Sequence, residues 1–252
     1  VNLNNPAIFF DSFGGNNFPS SWRFGGYVKT VVAANPAEVI EVLSQVEKAA
    51  ANGLYAAGFV SYEAASALNP DLPSVPPADG LPLVWFAIFR ERHSVVAAAG
   101  LPVSTVGVML EPAKSIEEYS RDFEQIRDYI AAGDCYQVNH TFTMEGVSNG
   151  NLPELYARVC AAQRAPFCAY LETGRFTILS ASPELFFSLK EGKITTRPMK
   201  GTSCRGPWPD EDFAAIEQLR ESRKEKAENL MIVDLLRNDL GIVAEVGSVT
   251  VE

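Results

Sequence analysis

Histidine and cysteine are scarce in this chain, and their spacing excludes several chemistries at once. The 252 residues contain two histidines, His93 and His140, and four cysteines, Cys135, Cys160, Cys168 and Cys204. They make neither a CxxC pair nor a zinc-type Cys/His pattern, and their density is too low for a disulfide scaffold. The cysteines read as reduced thiols of a cytoplasmic protein. Basic residues are in deficit as well: 21 Lys and Arg stand against 31 Asp and Glu, for a net charge of -10. Nucleic acid is a poor partner for such a chain, because phosphate contacts need clustered cations. No uninterrupted apolar run reaches the roughly 18 residues of a membrane span, and residues 1–10 lack the basic-then-apolar order of a secretory signal. What is abundant is apolar side chain, 47% of the residues. That is enough for a real core in one large or two small domains.

Residues 6–13 and 22–34 read as strands around a Gly/Asn/Pro/Ser loop at 14–21. Asn35 and Pro36 mark a helix start, Val39, Leu43, Val46 and Ala50 fall on one face, and Asn52-Gly53 ends it. Strands at 54–62 and 83–90 flank a loop at 69–82 that holds five prolines. After a connection and a short strand within 97–111, Ser115 and Glu118 form a capping box for a helix striped by Tyr119, Phe123, Ile126 and Ile130 and stopped at Gly133. Residues 135–144 alternate as a strand: Tyr136, Val138, His140, Phe142 and Met144 form a core face, and Gln137 lies on a polar face that is either solvated surface or the floor of a site. Pro153 opens a helix carrying Leu155, Val159 and Ala162, which Pro166 closes. Two hairpins turn at Thr173-Gly174 and Glu191-Gly192. A single long helix is expected over 213–239, apolar nearly all round from Leu230 to Leu236 and therefore buried there, with Gly241 as its stop. A final strand is expected at 247–252. The order divides the chain into an N-terminal region, 1–112, and a second region, 113–252.

Chemistry concentrates at residues 182–241, where ionisable groups sit in or beside apolar segments, a placement that costs free energy unless the group is paired, metal-bound or used. Glu184 is either an exposed strand-end residue or a carboxylic acid kept protonated by apolar surroundings and able to donate to a departing hydroxyl. Lys200, in a Pro-x-Lys-Gly-Thr loop made locally basic by Lys193, Arg197 and Arg205, is either solvated or an amine poised as a nucleophile. Glu228 is either an exposed i, i+4 partner of Lys224 or a Mg2+ ligand, since that ion needs only one or two protein carboxylates. Asp234 with Arg237 is expected to be a structural buried pair. A pyridoxal phosphate Schiff base at Lys200 lacks an accompanying Gly/Ser phosphate cradle.

The ordered motifs Ser182-Pro183-Glu184-Leu185-Phe186-Phe187, Arg197-Pro198-Met199-Lys200-Gly201-Thr202 and Ala227-Glu228-Asn229-Leu230-Met231-Ile232-Val233-Asp234 resemble those of the chorismate-utilising enzymes. Gly133-Asp134-Cys135-Tyr136-Gln137-Val138-Asn139 resembles the family's earlier strand signature. The resemblance implies an α+β fold, an antiparallel β-sandwich with flanking helices. It also implies that the pattern continues beyond Glu252, so that the chain is C-terminally incomplete, the N-terminal part of a longer enzyme. Members that form isochorismate or salicylate carry a lysine base at the position of Gln137, and those that form anthranilate carry alanine at the position of Lys200. Glutamine and lysine here resemble the branch that aminates chorismate at C4 with ammonia from a glutamine amidotransferase partner, towards p-aminobenzoate and folate. In that branch Lys200 would be the nucleophile and Glu184 the general acid. Gln137, Gly201 and Thr202 would contact substrate, and Glu228 would hold Mg2+. The anthranilate-forming branch and a non-catalytic ligand- or partner-binding fragment are the alternatives. The usual leucine after Gln-Val-Asn is His140 here, on the core face, where packing is its expected role.

Overall fold

The structure, a computed structural model, describes residues 6–14, 20–77, 80–97 and 107–251. The expected loops at 14–21 and 69–82 and the connection after 97 lie partly outside those residues. Alternating and continuous apolar runs produce β1 (Ile8–Asp11) and β2 (Ser21–Ala33). At the helix start, the Glu38 carboxylate accepts from the backbone N–H groups of Ala34 at 2.8 Å and Asn35 at 3.1 Å. These bonds occupy donors that an unfinished helix end leaves unpaired. One 3-10 turn then leads into α1 (Val39–Ala51), which buries Val39, Val42 and Ala49 and packs Val39 and Val42 against Val31, Ala33, Leu83 and Val84. Val39, Leu43 and Val46 of the expected stripe face the core, whereas Ala50 is exposed and Ala49 is buried in its place.

β3 (Tyr55–Val60), the short α2 (Ala65–Leu68) and β4 (Val84–Val95) follow. Then come β5 (Val108–Pro112), α3 (Ile116–Ala132), β6 (Met144–Ser148), α4 (Leu152–Gln163), β7 (Phe167–Glu172) and β8 (Thr177–Ser182). Six of the strands form one antiparallel sheet in the order β3-β4-β2-β1-β7-β8. The α+β class and the antiparallel pairing are as expected, and this sheet draws strands from both sides of residue 112. β4, an interior strand between β3 and β2, has Val84, Trp85, Ala87, Ile88 and Phe89 all buried. Covering both faces of one strand explains its unbroken apolar run.

Gly58 in β3 lies against β4 so closely that a Cβ would fall 1.9 Å from the Trp85 carbonyl oxygen and 2.7 Å from Phe86 Cα. Backbone cannot yield as a side chain can. Gly58→Ala is therefore expected to cost about 1–3 kcal/mol. Urea unfolding reads the loss, and an unchanged midpoint would contradict this backbone approach.

α4 packs through Tyr156 and Cys160 against Cys168 and Tyr170 of β7. The buried face is thus Leu152, Tyr156 and Cys160, turned from the expected Leu155, Val159 and Ala162. All four cysteines are free thiols. Burial pushes the Cys160 thiol up and that of Cys168 up to about 12. Both are packing groups, not nucleophiles at neutral pH.

The second hairpin, β9 (Leu185–Lys190) and β10 (Lys193–Arg197), forms as expected, with positive φ at both Glu191 and Gly192 in its two-residue turn. It is a separate ribbon, as is β5–β6. Several expectations fail in this half. Residues 135–143 form no strand; only Met144–Ser148 do, paired with β5. Residues 247–251 form none either. A ladder needs a partner backbone, and no described strand lies opposite these two segments. The expected single helix is two, α5 (Pro209–Glu221) and α6 (Arg223–Val243), because Ser222 leaves helical geometry and its hydroxyl accepts from Glu225 N–H as a new N-cap. α6 runs past Gly241, and it has no buried residue, Leu230 being 69% exposed. Asp234 and Arg237 likewise pair at 3.1 Å on the surface and not in a core.

Candidate active site

A hairpin brings the first two motifs of residues 182–241 into contact, and the second lies against the first turn of the helix that carries the third. Glu184 sits between β8 and β9, where Ser182 Oγ accepts from its backbone N–H at 3.2 Å. Its own carboxylate reaches across the hairpin: Oε1 accepts from Met199 N–H at 3.3 Å. Glu184 is thereby fastened to the residue before Lys200. It is an exposed residue, as its ordinary reading held, but its direction is set by that bond.

Lys200 is half-buried in the loop that leaves β10. Gly201 follows with φ 79°, and a Cβ there would lie 2.7 Å from Glu225 Oε2. Only glycine lets this loop press so closely against the first turn of α6. Thr202 is exposed.

Sequence reasoning passed over Glu225. Its signal was the i, i+3 spacing to Glu228, which puts both carboxylates on one face of α6. Lys224 Nζ lies 3.9 Å from Glu225 Oε1 and 3.7 Å from Glu228 Oε1, at the outer edge of ion pairing. Glu228, 31% exposed, has the i, i+4 contact expected of an ordinary helix surface. Because that ammonium is not at hydrogen-bond distance, the carboxylate keeps donor capacity for a hard cation, which prefers oxygen ligands. No group of three His, Cys, Asp or Glu side chains suited to a metal occurs among the described residues. The donor set therefore fits an ion only as one or two carboxylates completed by substrate or water.

The basic character of the loop is smaller than its composition suggests. Arg205 is committed to Asp212, with Nε donating at 2.9 Å to Oδ2 and Nη2 bonded to the same oxygen. The guanidinium holds the Asp212 carboxyl below the usual range, and Gly206 N–H adds to the effect. Arg205, Trp208, Asp212, Phe213 and Ile216 line an open cleft of about 380 Å³.

Gln137 is not joined to this group by any described bond. It lies in the irregular segment after α3, and its Oε1 is buried without a hydrogen-bond donor. An orphaned buried acceptor costs about 1–3 kcal/mol. His140 and Phe142 face Tyr119 of α3, with ring centroids at 5.3 and 5.8 Å. The packing role expected of His140 is thus observed, although Tyr136, Val138 and Met144 of the same alternation are exposed.

An antiparallel α+β scaffold that carries a loop lysine, a carboxylate bonded to that loop and two carboxylates on the adjoining helix defines a class of fold with solved relatives. Anthranilate synthase component I from Streptococcus pneumoniae TIGR4 superposes with a TM-score of 0.61 at 23% identity, over 75% of this chain and 50% of that one. The chorismate binding enzyme family model matches residues 17–252, and the chain belongs to that family. Aminodeoxychorismate synthase component 1 of Klebsiella aerogenes is 46% identical over 137 residues, 54% of this chain and 30% of that protein. The Bacillus subtilis protein of the same name is 41% identical over 133 residues, 53% and 28% of the two chains. Anthranilate synthase component 1 of Aquifex aeolicus is 39% identical over 136 residues, 54% and 28%. The matched stretch spans less than a third of the length of these curated relatives. No helix among the described residues is long and apolar enough to cross a membrane.

Proposed function

We propose that the chain carries part of the active site of an aminodeoxychorismate synthase component 1, which aminates chorismate at C4 to give 4-amino-4-deoxychorismate. The observation that supports this reading is the bond from Met199 N–H to Glu184 Oε1, which holds the carboxyl proposed as proton donor beside the loop of the proposed nucleophile. The relatives named for this activity, at 41 and 46% identity, support the same choice.

In the proposed chemistry the Lys200 amine attacks C2 of chorismate. The two ring double bonds shift, from C1–C2 and C5–C6 to C1–C6 and C4–C5. The C4 hydroxyl departs as water with a proton from Glu184. Ammonia then adds at C4, the double bonds return, and the C2–nitrogen bond to Lys200 breaks. Ammonia comes from a glutamine amidotransferase subunit. Gly201 and Thr202 position the ring carboxylate, and Gln137 supplies a contact from the segment after α3. Holding substrate in this attack geometry accounts for much of the rate such a site can give. Glu228, with Glu225 beside it, would hold Mg2+, which neutralises the ring carboxylate when bound. The family's substrate and the free thiols suit a cytoplasmic setting.

Incubating the chain with chorismate, Mg2+ and an ammonium salt at alkaline pH should give 4-amino-4-deoxychorismate, and a chelator should abolish its formation. Anthranilate as the product would replace this reading with the C2-aminating one. Chorismate binding without any product would make the chain a ligand-binding fragment.

A further inference from the structure

Residues 135–143 carry Gln137, yet no sheet ladder among the described residues holds them. Their ends are tied: Asp134 N–H donates to the Tyr129 carbonyl at 3.0 Å, and the Thr143 carbonyl accepts from Ala113 N–H at 2.9 Å. Between those ends the segment meets α3 through side chains. His140 stacks near Tyr119, and its Nε2, a buried atom, stands 3.4 Å from Asp122 Oδ2. That separation is within ion-pairing range but lacks hydrogen-bond alignment. The same carboxylate oxygen is bonded to Lys114 Nζ just before α3. The Lys114 contact holds the Asp122 carboxyl below the usual range, and His140 acts in the same direction. The carboxylate is thus kept anionic opposite the ring.

We propose that His140 is a positioning residue: the Lys114–Asp122–His140 cluster fastens the middle of segment 135–143 to α3 and so fixes Gln137 for substrate. His140 and Phe142 both face Tyr119, and Gln137, three residues before His140, is itself half-buried with Oε1 out of solvent, so securing His140 limits how far Gln137 can shift. The role of Gln137 rests on the proposed function; the fastening does not.

The test separates the two. His140→Phe keeps an aromatic ring against Tyr119 and removes Nε2, and Asp122→Asn keeps the shape and removes the charge. Hydrogen–deuterium exchange in the full chain should rise about two- to fivefold over residues 136–142 in either variant, the range of an exposed ion pair. The double variant should exchange no faster than the singles, as a coupled pair requires. Exchange in β2 and β4 is the internal control for folding. In the amination assay both variants should raise KM for chorismate by a similar factor and leave kcat within about twofold. Exchange unchanged in His140→Phe would overturn the fastening, since packing alone survives that substitution. Faster exchange with an unchanged KM would overturn the positioning role. A wild-type chain that turns over no chorismate would defeat the functional reading, while the exchange measurement still decides the fastening.

Discussion

Lys200→Ala is expected to abolish the covalent adduct formed with chorismate and to lower C4 amination by a factor on the order of 10³ or more, as removal of a nucleophile does. Intact-mass measurement reads the adduct directly. The wild-type chain should gain the mass of chorismate less one water, and the variant should gain nothing. The architecture around Lys200 should survive the change. Met199 N–H still donates to Glu184 Oε1, and Gly201 still lies against Glu225, because neither contact uses the lysine side chain. Stability should therefore stay within about 0.5 kcal/mol of wild type. An adduct of undiminished yield in Lys200→Ala would place the nucleophile elsewhere and leave Glu184 without a reaction to assist.

The contacts that join these motifs were only partly legible in the sequence. Lys200, Glu184 and Glu228 stood out because ionisable groups sat next to apolar runs, and the two-residue turn at Glu191-Gly192 announced the hairpin that carries the first two. The bond from Met199 to Glu184 could not be read, since it depends on two loops that alternation does not describe. Glu225 was hidden for a related reason. Its i, i+3 relation to Glu228 was visible, but its contact with Gly201 is tertiary. Local signals served well where packing agreed with them, as in the capping box of α3, where Ser115 Oγ accepts from Glu118 N–H and the Glu118 carboxylate accepts from Ser115 N–H. They failed where an element needs a partner. Residues 135–143 alternate cleanly yet form no strand, and α6 is apolar over Leu230 to Leu236 yet unburied. Periodicity reports which face could be covered, not whether anything covers it. Ser222 shows the remaining kind of miss, a polar cap inside what reads as one continuous helix.

The second large effect is expected far from those motifs, at a residue to which the sequence assigned no role. Asp11 ends β1 and is 7% exposed. Arg23 of β2 donates Nη2 to its Oδ1 at 2.9 Å, and the Tyr156 hydroxyl of α4 donates to Oδ2 at 3.0 Å. Arg23 also donates to the carbonyls of Trp22 at 2.9 Å and Phe10 at 3.3 Å, and lies over the Phe9 ring. Burial, with the Asp11 charge adding to it, pushes the Tyr156 hydroxyl well above its ordinary range. The phenol thus stays a donor. This carboxylate links two N-terminal strands to a helix about 145 residues later, so one side chain ties together elements on both sides of residue 112. Asp11→Ala strands the Tyr156 hydroxyl and the Arg23 guanidinium together. Breaking a buried pair costs about 3–5 kcal/mol; since Arg23 is one-third exposed and rehydrates in part, about 2–4 kcal/mol is expected here. That should lower Tm by about 5–15 °C for a chain of this size. Tyr156→Phe, which leaves the Arg23 pair intact, should cost about 1 kcal/mol. Equal losses in the two variants would mean that the Tyr156 bond, and not the ion pair, holds β1 in the sheet.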